Sequence, residues 1–209
     1  QVDLVALERE QAHLVFLDDR DLDPAHLRHR LALHLAHERG VETEVAYFDE
    51  HTALRLREMY GAARLITATN SFPHIPRLDS YLEGIRRLLE PGGTFVVEAH
   101  YLGDLVAQNA FDTIYHEHVS YWALAPLERL LALHGLEVFD VERLPIHHGQ
   151  LRAWIGHRGA HAVTPAVGRL RADETAKGLG RLDTMQAFAR RVETLAAAIG
   201  AEVRRLNEA

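Results

Sequence analysis

Tyr115, His116, Glu117 and His118 place a phenol, two imidazoles and a carboxylate in four consecutive positions. Such a set can supply a general base, an orienting acceptor and a hydrogen-bond donor. In an extended segment His116 and His118 share one face and Tyr115 and Glu117 the other, whereas in a helix all four fan around the axis, and the spacing alone does not choose. His116-x-His118 also has the form of a metal-ligand pair. A zinc site needs a third and usually a fourth ligand, which His147 or His148 would have to provide. Against both stands the plain reading that these are surface or structurally bonded histidines. Two further places are dense in polar groups: Asn70-Ser71-Phe72-Pro73-His74 and His147-His148-Gly149. For Asn70 the structural reading is a turn residue, and for His74 a satisfied loop histidine.

These groups need a scaffold, and the chain between residues 24 and 156 is punctuated by Gly and Pro in the manner of alternating helices and strands. Asp23-Pro24 reads as an N-cap followed by Pro at the first helical position; Leu27, Leu31 and Leu35 recur at i+4, and Gly40 ends a helix predicted over about 24–39. Leu65 to Thr69 is a short strand. Leu82, Ile85, Leu88 and Leu89 mark an amphipathic helix stopped by Pro91-Gly92-Gly93, and Thr94 to Glu98 reads as a buried strand of the parallel type. A helix at about Pro126–His134 ends at Gly135. The segments 136–142 and 151–155 are strands joined by a mere loop, so they pair antiparallel. From Pro165 the spacing is helical, with Phe188, Val192, Leu195 and Ile199 on a stripe that needs a surface to pack on. In an open α/β sheet, ligands sit beyond the carboxyl ends of the strands, which is where Asn70 falls.

The bulk composition narrows the classes. With 209 residues, 47% apolar and 25% charged, the chain can bury a sizeable core. Its 23 Lys+Arg against 30 Asp+Glu give a net charge of −7, which repels a phosphate backbone, so nucleic acid is not an expected partner. Without a long apolar run or a basic-then-apolar N-terminus, the sequence reads as soluble, untargeted and cytoplasmic, with no membrane partner. Zero cysteines exclude disulfides, thiolate metal sites and a Cys nucleophile from the described sequence.

Four phrases together resemble one family. They are Asn70-x-x-x-His74; Leu88-Leu89-x-Pro91-Gly92-Gly93-x-Phe95-Val96-x-Glu98; Asn109-x-Phe111 through Asp112-Thr113-Ile114-Tyr115-His116-Glu117-His118-x-Ser120-Tyr121; and His147-x-Gly149-x-Leu151-Arg152. The chain resembles, over roughly residues 38–200, the S-adenosyl-L-methionine-dependent C-methyltransferases of nucleotide-linked keto-deoxysugars. The helix, Pro-Gly-Gly, strand unit is common to many methyltransferases, while the Asp112 to His118 phrase is specific to this family.

The resemblance implies a class I methyltransferase-like (Rossmann-like) α/β fold over residues 1–156, of which 1–37 match poorly: a mostly parallel sheet with a C-terminal antiparallel pair, then a helical tail over 157–209. It implies an enzyme that removes a proton beside a sugar ketone and methylates the resulting enolate. His118 would be the base, Glu117 would hold its imidazole or fix substrate hydroxyls, and Tyr115 would donate a hydrogen bond near the reacting centre. Asn70 and His74 would line the junction of cofactor and sugar, with His116, Tyr101 and His147 as further substrate contacts, Glu98 and Tyr101 as pocket walls, and no metal. Leu22-Asp23-Pro24 resembles the strand end whose carboxylate binds the adenosine ribose, making Asp23 a cofactor contact beside Asn70. The family's N-terminal zinc-binding domain and further C-terminal domain are expected as absent parts. No glycine precedes Gly40, so the Gly-rich cofactor loop is missing from this sequence and weak cofactor affinity is expected of the chain alone. A catalytically inactive binding module and a His-rich metal hydrolase remain the alternatives.

Overall fold

Asp49 opens helix α1 (Glu50–Tyr60), because its carboxylate accepts the backbone N–H of Thr52 at 2.9 Å, and Gly61 at φ 78° closes it. The computed structural model describes residues 4–8, 13–16, 38 and 46–208, the first two segments by their backbone. These are strands β1 (Leu4–Glu8) and β2 (His13–Phe16). After α1 come β3 (Ala63–Thr69), α2 (Leu78–Leu88), β4 (Leu89–His100), α3 (Leu102–Gln108), α4 (Leu124–Leu133), β5 (Leu136–Leu144), β6 (Gln150–His157), α5 (Pro165–Ala176) and α6 (Leu182–Asn207). Single 3-10 turns stand at Phe72–His74 and Phe111–Thr113. The helix expected at 24–39, together with Asp23, lies outside the described residues but for Glu38.

The strands form one sheet in the order β2-β1-β3-β4-β6-β5. Among the described strands only β3 and β4 run parallel; β1–β2, β1–β3, β4–β6 and β5–β6 are antiparallel. The sheet is therefore mixed, which corrects the expectation of a mostly parallel one. The cause is connectivity: β6 returns from β5 through a short loop and inserts beside β4, so the strand read as buried and parallel has a parallel neighbour on one side alone. The antiparallel pairing of 136–142 with 151–155 is present, extended to Leu136–Leu144 and Gln150–His157.

Pro91-Gly92-Gly93 does not cap α2. That helix ends at Leu88 and strand begins at once at Leu89. The β3–β4 register jumps from Ala63↔Leu89 to Leu65↔Thr94, so the Pro-Gly-Gly residues form a bulge inside β4. Pro91 has no N–H to give the ladder, and a Cβ on Gly93 would lie 3.0 Å from the Ala63 carbonyl oxygen, so the bulge suits both residues. Past it, Phe95, Val97 and Ala99 alternate into the core, where they join Ile66 and Ala68 of β3, Leu82 and Ile85 of α2, and Leu151, Ala153 and Ile155 of β6. Leu127, Leu131, Val167 and Leu170 extend the same cluster under α4 and α5. Burying the Val, Leu, Ile and Phe side chains among them contributes about 1.5–3 kcal/mol each.

The tail is helical as its spacing predicts, but it docks only in part. Met185 and Phe188 pack on the core and Arg191 donates to the Val106 carbonyl at 2.8 Å, while no residue of α6 is fully buried and Ile199 is 50% exposed. No helix among the described residues is long and apolar enough to cross a membrane.

Candidate active site

The site grows from the carboxyl end of β3. Asn70 leaves the strand in the left-handed region at φ 58°, a conformation Asn tolerates because its short amide can bond locally. The turn throws Phe72 inward, where it is fully buried between Tyr81 and Trp122 at ring distances of 6.0 and 5.2 Å. That anchor presents the Pro73 carbonyl and the His74 ring to the segment 113–121. The Pro73 oxygen accepts the N–H groups of Val119 and Ser120 at 2.9 and 3.2 Å, and His74 Nδ1 donates to the Glu117 carbonyl at 2.8 Å.

His118 is buried, 7% exposed, at the centre of what results. Its ring lies 4.4 Å from Tyr115, 4.8 Å from His74, 5.1 Å from His100 and 6.0 Å from Tyr121. Nδ1 stands 2.8 Å from the Thr113 carbonyl oxygen, which can only accept, so the proton is on Nδ1. Nε2 therefore carries the lone pair, and Tyr115 Oη donates to it at 3.3 Å. Tyr121 Oη also donates to the Thr113 carbonyl, at 3.2 Å, and burial pushes its phenol above the ordinary value.

Three of the expected site residues thus meet: His74, Tyr115 and His118, from positions 44 residues apart. Asn70 joins through Gln150, whose Nε2 donates to Asn70 Oδ1 and whose Cα faces that of His100 across the β4–β6 pair. The remaining expected residues are placed differently. Glu117 does not hold the imidazole; the Thr113 carbonyl does, and the Glu117 carboxylate stands half exposed, 4.0 Å from the exposed His116. The segment turns at 115–117, so alternate side chains do not share the face that an extended run would give them. Tyr101 is no pocket wall. One residue past His100 it falls on the opposite side, is 1% exposed, and its hydroxyl donates to Glu174 at 3.1 Å. Burial and the Glu174 charge push that phenol well above its ordinary range. Glu98 faces the sheet surface, where Arg152 donates to Glu98 Oε2 at 2.9 and 2.7 Å. His147, at φ 47°, is exposed at the rim and makes no ring contact with His118 among the described residues.

Two residues of the site were missed. His100 ends β4 on the face that i, i+2 alternation from Glu98 would assign, and that parity was the available signal. Burial, followed by the neighbouring imidazoles of His118, His147, His74 and His148, lowers its pKa below the ordinary histidine value. Gln150 carried no signal beyond its place at the start of a strand. Three buried atoms at this strand end have no hydrogen-bond partner among the described residues: Ser71 Oγ, His100 Nδ1 and Gln150 Oε1. Leaving such atoms unsatisfied costs about 1–3 kcal/mol each. Among the described residues no group of three or more His, Asp or Glu is arranged to hold a metal ion.

Comparison with known proteins decides the family. A methyltransferase-domain family matches residues 4–141, and a family of C-methyltransferase C-terminal domains matches 145–209. The chain belongs to the methyltransferase-domain family. It is 39% identical over 171 residues to the C-methyltransferase NovU of Streptomyces niveus, an alignment that covers 81% of this chain and 41% of NovU. The chain thus spans about two fifths of the length of the curated relative it matches. Among solved structures, the O-methyltransferase NcsB1 from neocarzinostatin biosynthesis, in complex with S-adenosyl-L-homocysteine, is 18% identical over 70% of this chain and 42% of its own, with a TM-score of 0.48. The PH0226 protein of Pyrococcus horikoshii is 17% identical over 62% and 66%, with a TM-score of 0.44.

The methyl donor implied by this family is S-adenosylmethionine, and the residues at the end of β3 fit a polar ligand. Ser71 Oγ is buried and uncommitted, and Asn70 turns its amide at the strand end where such ligands lie. The expected ribose contact, Asp23, falls outside the described residues.

Proposed function

We propose that this chain carries the site of an S-adenosylmethionine-dependent C-methyltransferase acting on a nucleotide-linked keto-deoxysugar, with residues 1–156 supplying the sheet and the site and residues 157–209 bracing it. The observation that carries the reading is the tautomer of His118. A ring whose Nδ1–H is held by the Thr113 carbonyl offers a lone pair on Nε2 inside a buried aromatic cluster, which is what abstraction from carbon requires. The C–H bond beside the ketone breaks, its proton goes to Nε2, and the electron pair moves through the carbon to the ketone oxygen as an enolate. S-adenosylmethionine, when bound, provides an electrophilic methyl on a sulfonium. His118 becomes a cation on taking the proton, and the Thr113 carbonyl, aligned with Nδ1–H, stabilises that charge. Tyr115 Oη, donating to Nε2 at rest, must give way to the substrate and is then placed to hydrogen-bond it. His74 and Tyr121 wall the ring and restrict water.

The test is exchange of the sugar's α-hydrogen with deuterated water, followed by proton NMR without methyl donor. The protein should catalyse exchange, and His118→Asn, which keeps size and one hydrogen bond but cannot take a proton, should abolish most of it. Exchange that survives in His118→Asn puts the base elsewhere, and none in the unaltered protein makes the chain a binding module.

A further inference from the structure

We infer that Gln150 is a positioning residue that fixes the amide of Asn70 so that Asn70 Nδ2 donates to the oxygen that becomes negative in the enolate. The inference rests on the reading proposed above. It starts from a count of donors. An enolate oxygen needs N–H or O–H groups aimed at it, and several of those around His118 are spent, while the hydroxyls of Tyr115 and Ser71 can rotate between donating and accepting. His118 Nδ1 is given to Thr113, His74 Nδ1 to the Glu117 carbonyl, Tyr121 Oη to Thr113, and Gln150 Nε2 to Asn70 Oδ1. Asn70 Nδ2 has no partner among the described residues.

What makes that donor more than a rotamer accident is Gln150. An isolated Asn amide can turn over and offer oxygen as readily as nitrogen. Here Gln150 is fully buried, held at the first residue of β6 opposite His100, and its N–H occupies the Asn70 oxygen. The Asn70 backbone is fixed too, since its N–H donates to the Glu98 carbonyl at 2.8 Å. With oxygen and backbone both committed, the NH2 is the end that faces outward. His100, adjacent to Gln150 in the register and kept neutral by burial, adds no competing positive charge beside His118. A preorganised donor of this kind is worth about a hundred- to a thousand-fold in rate.

The experiment measures α-hydrogen exchange in deuterated water with a nucleoside-diphosphate-linked keto-deoxyhexose and no methyl donor. Gln150→Glu keeps shape but removes the N–H, so Asn70 must turn its NH2 toward the carboxylate and present oxygen; exchange should fall by about a hundred-fold or more. Asn70→Asp should fall alike, with substrate KM changed little in either. Exchange within about three-fold of the unaltered protein in both variants overturns the inference while leaving His118 as base. If the unaltered protein does not exchange, the proposed reaction and this inference fall together. Because either variant could fold poorly, the second measurement is made on the unaltered protein: a through-hydrogen-bond NMR correlation from Gln150 Nε2–H to Asn70 Cγ is expected, and the reverse one, from Asn70 Nδ2–H to Gln150 Cδ, refutes the orientation.

Discussion

Replacing Glu174 by Ala should be the most damaging polar change in the described structure. Its carboxylate, 5% exposed, accepts the Tyr101 hydroxyl at 3.1 Å and the N–H groups of Leu124 and Ala125 at 2.7 and 3.3 Å. It thereby caps α4 from a different helix, since Ala123 at the N-cap has no side chain to do so. Removing it leaves the buried Tyr101 hydroxyl without its acceptor, at about 1–3 kcal/mol. It also uncaps the helix, at about 0.5–2 kcal/mol. A loss of about 1.5–5 kcal/mol follows, which at a urea slope of about 2 kcal/mol/M lowers the unfolding midpoint by roughly 0.75–2.5 M. Urea unfolding followed by circular dichroism measures it, with Glu128→Ala as reference, because Glu128 pairs with a half-exposed Arg171 and its loss should cost under about 1 kcal/mol. Equal midpoints for the two variants would refute the bridging role assigned to Glu174.

Tyr101→Phe removes one of the three donors and should cost about 1 kcal/mol in the same assay, well short of Glu174→Ala. Phe72→Ala, at a fully buried ring under the His74 turn, should cost about 3–5 kcal/mol and loosen the site with it, read as faster amide exchange at Val119 and Ser120. Gly149→Ala should destabilise strongly, since Gly149 sits at φ 104° and a Cβ there would run into the Asp104 carboxylate that pairs with Arg143; a melting temperature within a degree of the parent would contradict it. His100 is expected to make stability depend on pH. Its folded pKa lies below 6.5, so stability is full above 6.5 and declines as pH falls from there toward the folded value, where the unfolded chain binds the proton and the folded one does not. Against His100→Gln, the parent should therefore lose more stability between pH 7.5 and 5.5.

Where one face of an element is apolar at a regular period, the sequence was readable. Leu82, Ile85 and Leu88 announce α2, and the Leu136 and Leu151 strands announce their hairpin, because burial and spacing agree there. Where an element rests on contacts from afar, it was not. The α1 helix has a single strong local signal, its Asp49 cap, and the bulge at Pro91-Gly92-Gly93 exists because β3 is one residue long where β4 spends several. The site divides the same way. Tyr115 and His118 are close in sequence and their chemistry is visible in it, but the partner that holds His118 is a backbone carbonyl, which no side-chain motif can advertise. Tyr101 was misjudged by one step of strand parity, and His100 was overlooked by the same step. Gln150 and Glu174 act from 80 and 73 residues away from Asn70 and Tyr101, beyond the reach of any spacing rule.

The insertion of β6 between β4 and β5 also sets an order of assembly. Five residues join β5 to β6, whereas bringing Gln150 beside His100 closes 49. Closing the longer loop costs about 2 kcal/mol more in chain entropy. The β5–β6 hairpin can therefore zip on its own, and the β4–β6 seam waits for contacts that repay its closure. Everything from Thr113 to Tyr121 lies inside the loop that this seam closes. The His118 ring, proposed above as the base, is thus among the last parts of the chain to be fixed, and a newly made molecule has its sheet edge in place before it has this aromatic cluster.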